Sequence, residues 1–319
     1  MLLSRMRRIL AQALSPDSSA KLSDVSQELA TLGLTLMRLA FKDSATLIPP
    51  RQLLSLPRHK AESLSRERVR PLYLGDHRAV STILARYKFF TDTRDVGFAT
   101  HILTDGFWEM SLTRLMTKTI KEGMFVLDVG ANFGYYSVLM ADLIGPSGKL
   151  IAFEPNPIAA ASAEASLNVN GFSSRSIVLR SAVSNTSGTA TFSTPYNEPK
   201  NARLVPAGYI SPDAEIIQVP TVTIDEICCN ERKVDFIKVD AEGGEYQIYQ
   251  GMEKIIRRDR PMIVLEFNAV REGAAALMDL ILETHGTLKY LGSDGALHDV
   301  TSERIMSENV GEDWLLFLH

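Results

Sequence analysis

Three stretches of this sequence combine residue types at spacings that could do chemistry. The first is Val126-Leu-Asp-Val-Gly-Ala-Asn-Phe-Gly134, an apolar run that ends in a tight turn. Gly130 lets the backbone turn sharply and approach a ligand, Asn132 tolerates positive φ, and Gly134 permits close contact where a helix begins. The second is Phe153-Glu154-Pro155-Asn156-Pro157. Its carboxylate, Glu154, follows the turn by about 20 residues, the position from which an acidic side chain takes both hydroxyls of a ribose. The third is Phe236-Ile-Lys-Val-Asp-Ala-Glu-Gly-Gly-Glu245, which sets Asp240, Glu242 and Glu245 at the end of another apolar run.

A dinucleotide site opens in a similar way, but its Gly-x-Gly-x-x-Gly fingerprint needs glycines where Asn132 and Tyr135 stand. Tyr135 in the first helical turn crowds a diphosphate, yet it can line a pocket for a nucleoside without phosphate. The glycine turn alone also fits a plain packing turn; joined to Glu154 it indicates a ligand. An NAD-dependent oxidoreductase is the weaker enzymatic reading. A non-catalytic binding protein is the alternative from outside enzymology.

These residues need a scaffold. From residue 123 onward apolar strands alternate with helical periods, the pattern of a mostly parallel sheet covered on both faces. Strands are expected at residues 125–130, 150–154, 177–182, 234–240 and 262–267, with closing strands at 288–291 and 314–318. Helices are expected at 135–144, 158–168, 246–256 and 271–285. Two short strands, 80–84 and 87–91, and a helix at 108–120 precede them. Ligands in such sheets bind beyond the carboxyl ends of the strands. The division predicted is a helical, basic extension over residues 1–70 and an α/β domain over 71–319. Residues 2–14 have an amphipathic helical period and 25–39 a second helix. Arg51, Arg58, Lys60, Arg66, Arg68 and Arg70 read as a solvated linker or helix face. The extension can pack on its own protein, self-associate or touch an anionic membrane surface.

Composition bounds the function. With 45% hydrophobic and 23% charged residues the chain has an ordinary globular balance, and a net charge of −4 argues against a nucleic-acid partner. Its two cysteines, Cys228 and Cys229, are adjacent, which fits neither a zinc spacing nor a disulfide framework and favours a reducing cytoplasm. The six histidines are scattered singly, so no metal site is expected.

In Asp128-Val-Gly-Ala-Asn-Phe-Gly-Tyr-Tyr136, 153–157, 236–245 and Pro261-Met-Ile-Val-Leu-Glu266, the chain resembles the FkbM family of class I methyltransferases. The resemblance runs from about residue 91 to the C-terminus, with Gly244 standing where alanine is usual. It implies a Rossmann-like, seven-stranded, mostly parallel sheet with an antiparallel last strand. It also implies S-adenosylmethionine as donor. Gly130, Asn132 and Gly134 would border its methionine part, with Glu154 on the ribose and Ser181 and Ala182, ending the third strand, near the adenine. Asp128 would orient the amino end through the turn, or simply brace the turn. The family methylates hydroxyls, so the expected partner is a hydroxyl-bearing small molecule or glycan. An alcohol must lose its proton near the transition state, and a positioned base helps. Asp240 is the first candidate for that work and Glu242 the second. Glu245 reads as a helix cap and Lys238 as a neutralising neighbour. The acceptor pocket would be roofed by residues 92–109 and 195–209, including Tyr196, Asn197, Lys200, Asn201 and Tyr209.

Overall fold

The apolar runs pair edge to edge. The computed structural model describes residues 47–196, 198–309 and 312–319. Its strands are β1 (Leu72–Gly75), β2 (Arg78–Ile83), β3 (Tyr87–Asp92), β4 (Phe125–Val129), β5 (Lys149–Phe153), β6 (Ser176–Leu179), β7 (Ala182–Val183), β8 (Gly188–Pro195), β9 (Arg203–Val205), β10 (Ala214–Val222), β11 (Phe236–Val239), β12 (Met262–Phe267), β13 (Leu288–Leu291), β14 (Leu297–Val300) and β15 (Trp314–Leu318). Among the described residues they form three sheets: β1-β2-β3, β7-β10-β8-β9, and an eight-stranded sheet ordered β14-β13-β15-β12-β11-β4-β5-β6.

The large sheet is parallel from β12 through β11, β4 and β5 to β6, and β15 inserts antiparallel between β12 and β13. The expected mostly parallel sheet with an antiparallel last strand is present, extended to eight strands because Leu297–Val300 folds back on β13 as an edge hairpin. β4 is buried at every position, as a strand covered on both faces must be. Phe125, Leu127, Ile237, Val239, Ile263 and Leu265 form the core with Ile248, Tyr249, Met252, Ile255 and Ile281.

Two sequence expectations change. The single helix expected at 246–256 is two, Glu245–Gln250 and Glu253–Asp259, broken at Gly251, where a Cβ would lie 2.0 Å from the Ser184 carbonyl oxygen. The strand expected at 177–182 stops at Leu179; Ala182 and Val183 pair parallel to Thr221 and Val222 in the second sheet instead.

The amphipathic segment 2–14 and the helix expected at 25–39 lie outside the described residues. No helix among the described residues is long and apolar enough to cross a membrane. One compact unit runs from Pro49 to His319. Helices Pro50–Ser55 and Arg58–Glu67 bury Leu53, Leu54, Ala61 and Leu64. Arg51, expected on a solvated stretch, is exposed, and it donates to the carbonyls of Thr117 (2.7 Å) and Ile120 (2.9 Å), where helix Met110–Thr119 ends. These are the orphan acceptors of a helix C-terminus, which favour a cation. We therefore expect a chain starting at Pro49 to fold, and one starting at Pro71 to melt at least about 5 °C lower. Thermal denaturation of the two truncations decides; equal melting temperatures would show these helices to be dispensable.

Candidate functional site

β4 and β11 lie side by side in parallel, with Asp128 opposite Lys238 and Val129 opposite Val239. The glycine turn and the carboxylate segment therefore leave the sheet together. Contact is so close that a Cβ on Gly130 would lie 1.7 Å from the carbonyl oxygen of Asp240. Gly130 and Gly134 have φ of 73° and 86°, and Asn132 supports the turn with φ 51°. Gly134 abuts helix Pro157–Val169, where its Cβ would meet Ala163 at 2.7 Å.

A cavity of about 290 Å³ opens above this edge, bordered by the ends of β4, β5, β11 and β12. Gly130, Asn132, Glu154, Ser181, Ala182, Asp240 and Glu242 all line it. Glu154 is buried at its floor, where Oε2 accepts from the Asn132 amide (2.7 Å) and Oε1 from the Asn156 amide (2.8 Å). Each oxygen keeps a further lone pair, so the carboxylate can still receive two hydroxyls. Burial, opposed by those amides, pushes its pKa up to about 7. Asn156 meanwhile caps helix Pro157–Val169, accepting from Ile158 and Ala159. The Glu-Pro-Asn-Pro segment thus fixes both the carboxylate and the next helix.

Asp128 does not reach the cavity. It is fully buried beneath it, accepting from Ser137 Oγ (2.6 Å) and standing 3.9 Å from Lys238 Nζ. Its position beneath the turn allows only the indirect role expected of it, through the backbone that it ties to Ser137 and Lys238. Lys238, also buried, donates to Asp240 (3.0 Å) and lies 5.1 Å from the centre of the Tyr136 ring. Burial alone would depress its pKa, but Asp240 and Asp128 outweigh that and raise it. A lysine held this way stays charged and offsets its two aspartates.

Glu245, expected to cap its helix, is instead the first helical residue after the N-cap Gly244 and ties down the loop before it. Its Oε1 accepts the amides of Ala241 and Gly243, both at 3.1 Å. Glu242 has φ 53°, and burial together with the Asp240 charge lifts its pKa to about 7 against the pull of Arg271. Arg271 is a hub the sequence did not disclose, reaching Glu242 at 3.4 Å, Glu245 at 3.2 Å, Glu266 at 2.8 Å and Asp313 at 3.3 Å. Glu266 and Asp313 also line the cavity. Burial raises the pKa of Glu266.

Over the opening lie Trp108 and Glu109 from one side and the segment 199–204 from the other. Phe98 stacks on Phe133 at 5.6 Å and meets Trp108 edge-on at 5.2 Å, giving an apolar aromatic wall. Lys200 and Asn201 line the cavity as expected, whereas Tyr196 and Tyr209 are exposed and lie outside it. Asn197 is outside the described residues.

Residues 128–292 match the methyltransferase FkbM domain. The chain is 25% identical over 158 residues to methyltransferase sdnD of Sordaria araneosa, covering 41% of this chain and 61% of that protein. Methyltransferase FkbM from Methylobacillus flagellatus KT superposes with a TM-score of 0.42 at 16% identity, over 63% of this chain and 44% of that one. The O-methyltransferase from Bacillus cereus gives 0.38 at 14% identity, over 72% and 92%. This chain thus spans less than two thirds of the length of the Sordaria and Methylobacillus proteins. Since the matched domain takes up just over half of its 319 residues and contains the glycine turn, Glu154 and the Asp240 segment, the chain belongs to the FkbM family of methyltransferases.

Proposed function

We propose that this methyltransferase takes its methyl group from S-adenosylmethionine and transfers it to a hydroxyl of a saccharide, glycan or secondary metabolite. The observation that carries the reading is Glu154. A buried carboxylate at the cavity floor, held by two backbone amides and beside a turn that a Cβ would block, suits the diol of a nucleoside. Tyr135 supports the donor over a dinucleotide, since it fills the first helical turn, buried, with its hydroxyl against Thr113 at 3.1 Å. No room is left there for a pyrophosphate. Ala182, Val183, Phe153 and Phe192 offer an apolar slot for a purine.

When bound, the donor supplies a sulfonium-borne methyl that is displaced in line, the sulfur keeping the electron pair of the broken bond. The chain's part is to hold the acceptor oxygen close and in line. The carboxylates around Asp240 favour the cationic sulfonium over a neutral thioether, and the aromatic wall excludes water. We place the reaction in a reducing, cytoplasmic setting, in keeping with two free adjacent thiols. Titration calorimetry with S-adenosylmethionine and, separately, NAD tests the reading. Micromolar-range binding of the first alone is expected. Binding of NAD, or of neither, would replace it by the oxidoreductase or the non-catalytic alternative.

A further inference from the structure

Six carboxylates line the cavity: Glu109, Glu154, Asp240, Glu242, Glu266 and Asp313. Given the hydroxyl-methylating reading above, on which this inference rests, a carboxylate of this lining is suited to take the acceptor's proton. Five are engaged. Glu154 holds two amides, Asp240 is paired with Lys238, and Glu242, Glu266 and Asp313 share Arg271. These partners fix the oxygens and take up lone pairs that an incoming acceptor would need.

Glu109 differs. Among the described residues no lysine, arginine or histidine nitrogen lies within ion-pair distance of it, and its carboxylate receives a single side-chain hydrogen bond, from Tyr136 Oη at 2.6 Å. It precedes helix Met110–Thr119 without capping it, in the left-handed region with φ 35° and ψ 67°. A non-glycine residue is strained there, and such strain concentrates where a side chain is aimed at a ligand. The strain is held by the helix itself, because Thr113 N–H donates to the Glu109 carbonyl (3.0 Å) and Thr113 Oγ1 to that of Trp108 (2.9 Å).

We propose that Glu109 is the base that takes the proton of the acceptor hydroxyl. The hydroxyl oxygen forms its bond to the methyl carbon as the methyl–sulfur bond breaks towards sulfur, and the hydroxyl proton ends on the Glu109 carboxylate. Water removes that proton afterwards through the cavity mouth. Asp240, the first candidate from the sequence, then serves the site as a fixed charge anchored by Lys238.

Glu109 is exposed as a residue, so solvent moderates its electrostatics. Desolvation of its carboxylate and the charge of Asp240 raise its proton affinity; the Tyr136 hydrogen bond and the charges of Lys238 and Lys200 oppose them, with a net rise. Tyr135, close by on the helix of Tyr136, stays neutral because burial raises its pKa further. Such a carboxylate accepts a proton near neutral pH more readily than an ordinary glutamate.

The test uses the full chain. Carboxyl ¹³C NMR of glutamate-labelled protein should show the resonance lost in Glu109→Gln titrating above the ordinary glutamate range. That resonance should move higher in Tyr136→Phe and lower in Asp240→Asn. With methyl α-D-glucopyranoside and methyl α-D-mannopyranoside as probe acceptors, Glu109→Gln should lower kcat for thioether release by about 10²–10⁴, with affinity for S-adenosylmethionine changed by less than about twofold. Tyr136→Phe should shift the acidic limb of the rate profile upward. If neither glycoside is methylated, the titration decides. A Glu109 resonance in the ordinary range, or undiminished thioether release by Glu109→Gln, overturns the proposal. A wild-type chain that fails to bind S-adenosylmethionine would sink the underlying reading instead.

Discussion

Replacing Glu154 by alanine is expected to weaken S-adenosylmethionine binding by about 1.5–3 kcal/mol, the scale of lost charge-assisted hydrogen bonds. The ionised carboxylate is the form that receives a diol, so pH should act on the same contact. Its pKa is raised to about 7 by burial. Binding should therefore be full well above pH 7 and weaken as pH falls, by about tenfold between pH 8 and pH 6 if Glu154 alone is responsible. Stability of the free protein should move oppositely. A carboxyl whose folded pKa exceeds its unfolded value, about 4.3, penalises the fold when ionised, so stability is gained as pH drops from about 7 towards 4.3. Glu154→Gln should flatten the binding dependence. Glu242 titrates in the same window, so Glu242→Gln is the control in which a Glu154 step must survive. Normal donor affinity in Glu154→Ala would remove this residue from the ribose.

The largest loss of stability is expected from Gly130→Ala. The new methyl would sit 1.7 Å from the Asp240 carbonyl oxygen and 2.8 Å from its carbon, both backbone atoms that no rotamer change can move. Parting β4 from β11 at this point disturbs two central strands, and a destabilisation of at least about 3 kcal/mol is expected with donor binding lost. Gly171 separates clash from conformation. Its φ of 78° is nearly that of Gly130, at 73°, but a Cβ there meets nothing within 4 Å. Gly171→Ala should show only the left-handed penalty, about 1–2 kcal/mol. Chemical denaturation of both variants is the measurement, and equal losses would mean the close approach to Asp240 has no energetic weight.

Much of the glycine-turn side of the cavity was legible in the sequence because it depends on local pattern. A buried strand, Gly130, Asn132 and Gly134 in a turn, and a carboxylate closing the next strand are all features of neighbouring residues. What stayed hidden depends on long-range contacts. Gly251 breaks a periodic helix only because the Ser184 carbonyl sits against it. Arg271, more than 25 residues after Glu245 and more than 40 before Asp313, gathers both. Asp128 reads as acting through the turn, but the partners it would use, Ser137 and Lys238, show only when strand alternation points it beneath the sheet's edge. Glu109 had no motif to mark it. Its significance comes from what does not pair with it, which a linear sequence cannot display.

The cavity's floor and roof have different mutational freedom. The floor rests on backbone at the ends of the central strands, and at Gly130 the approach to Asp240 leaves no space for any side chain. The roof is made by side chains of the short segment 199–204 and of Trp108, outside the large sheet. Ala202 and Leu204 of that segment pack on the small core of the second sheet, whereas substitutions at Trp108, Lys200 and Asn201 change the lining without touching the core of the large sheet. A lineage, or a directed-evolution library, could therefore exchange acceptors by varying this handful of positions and keep one donor throughout.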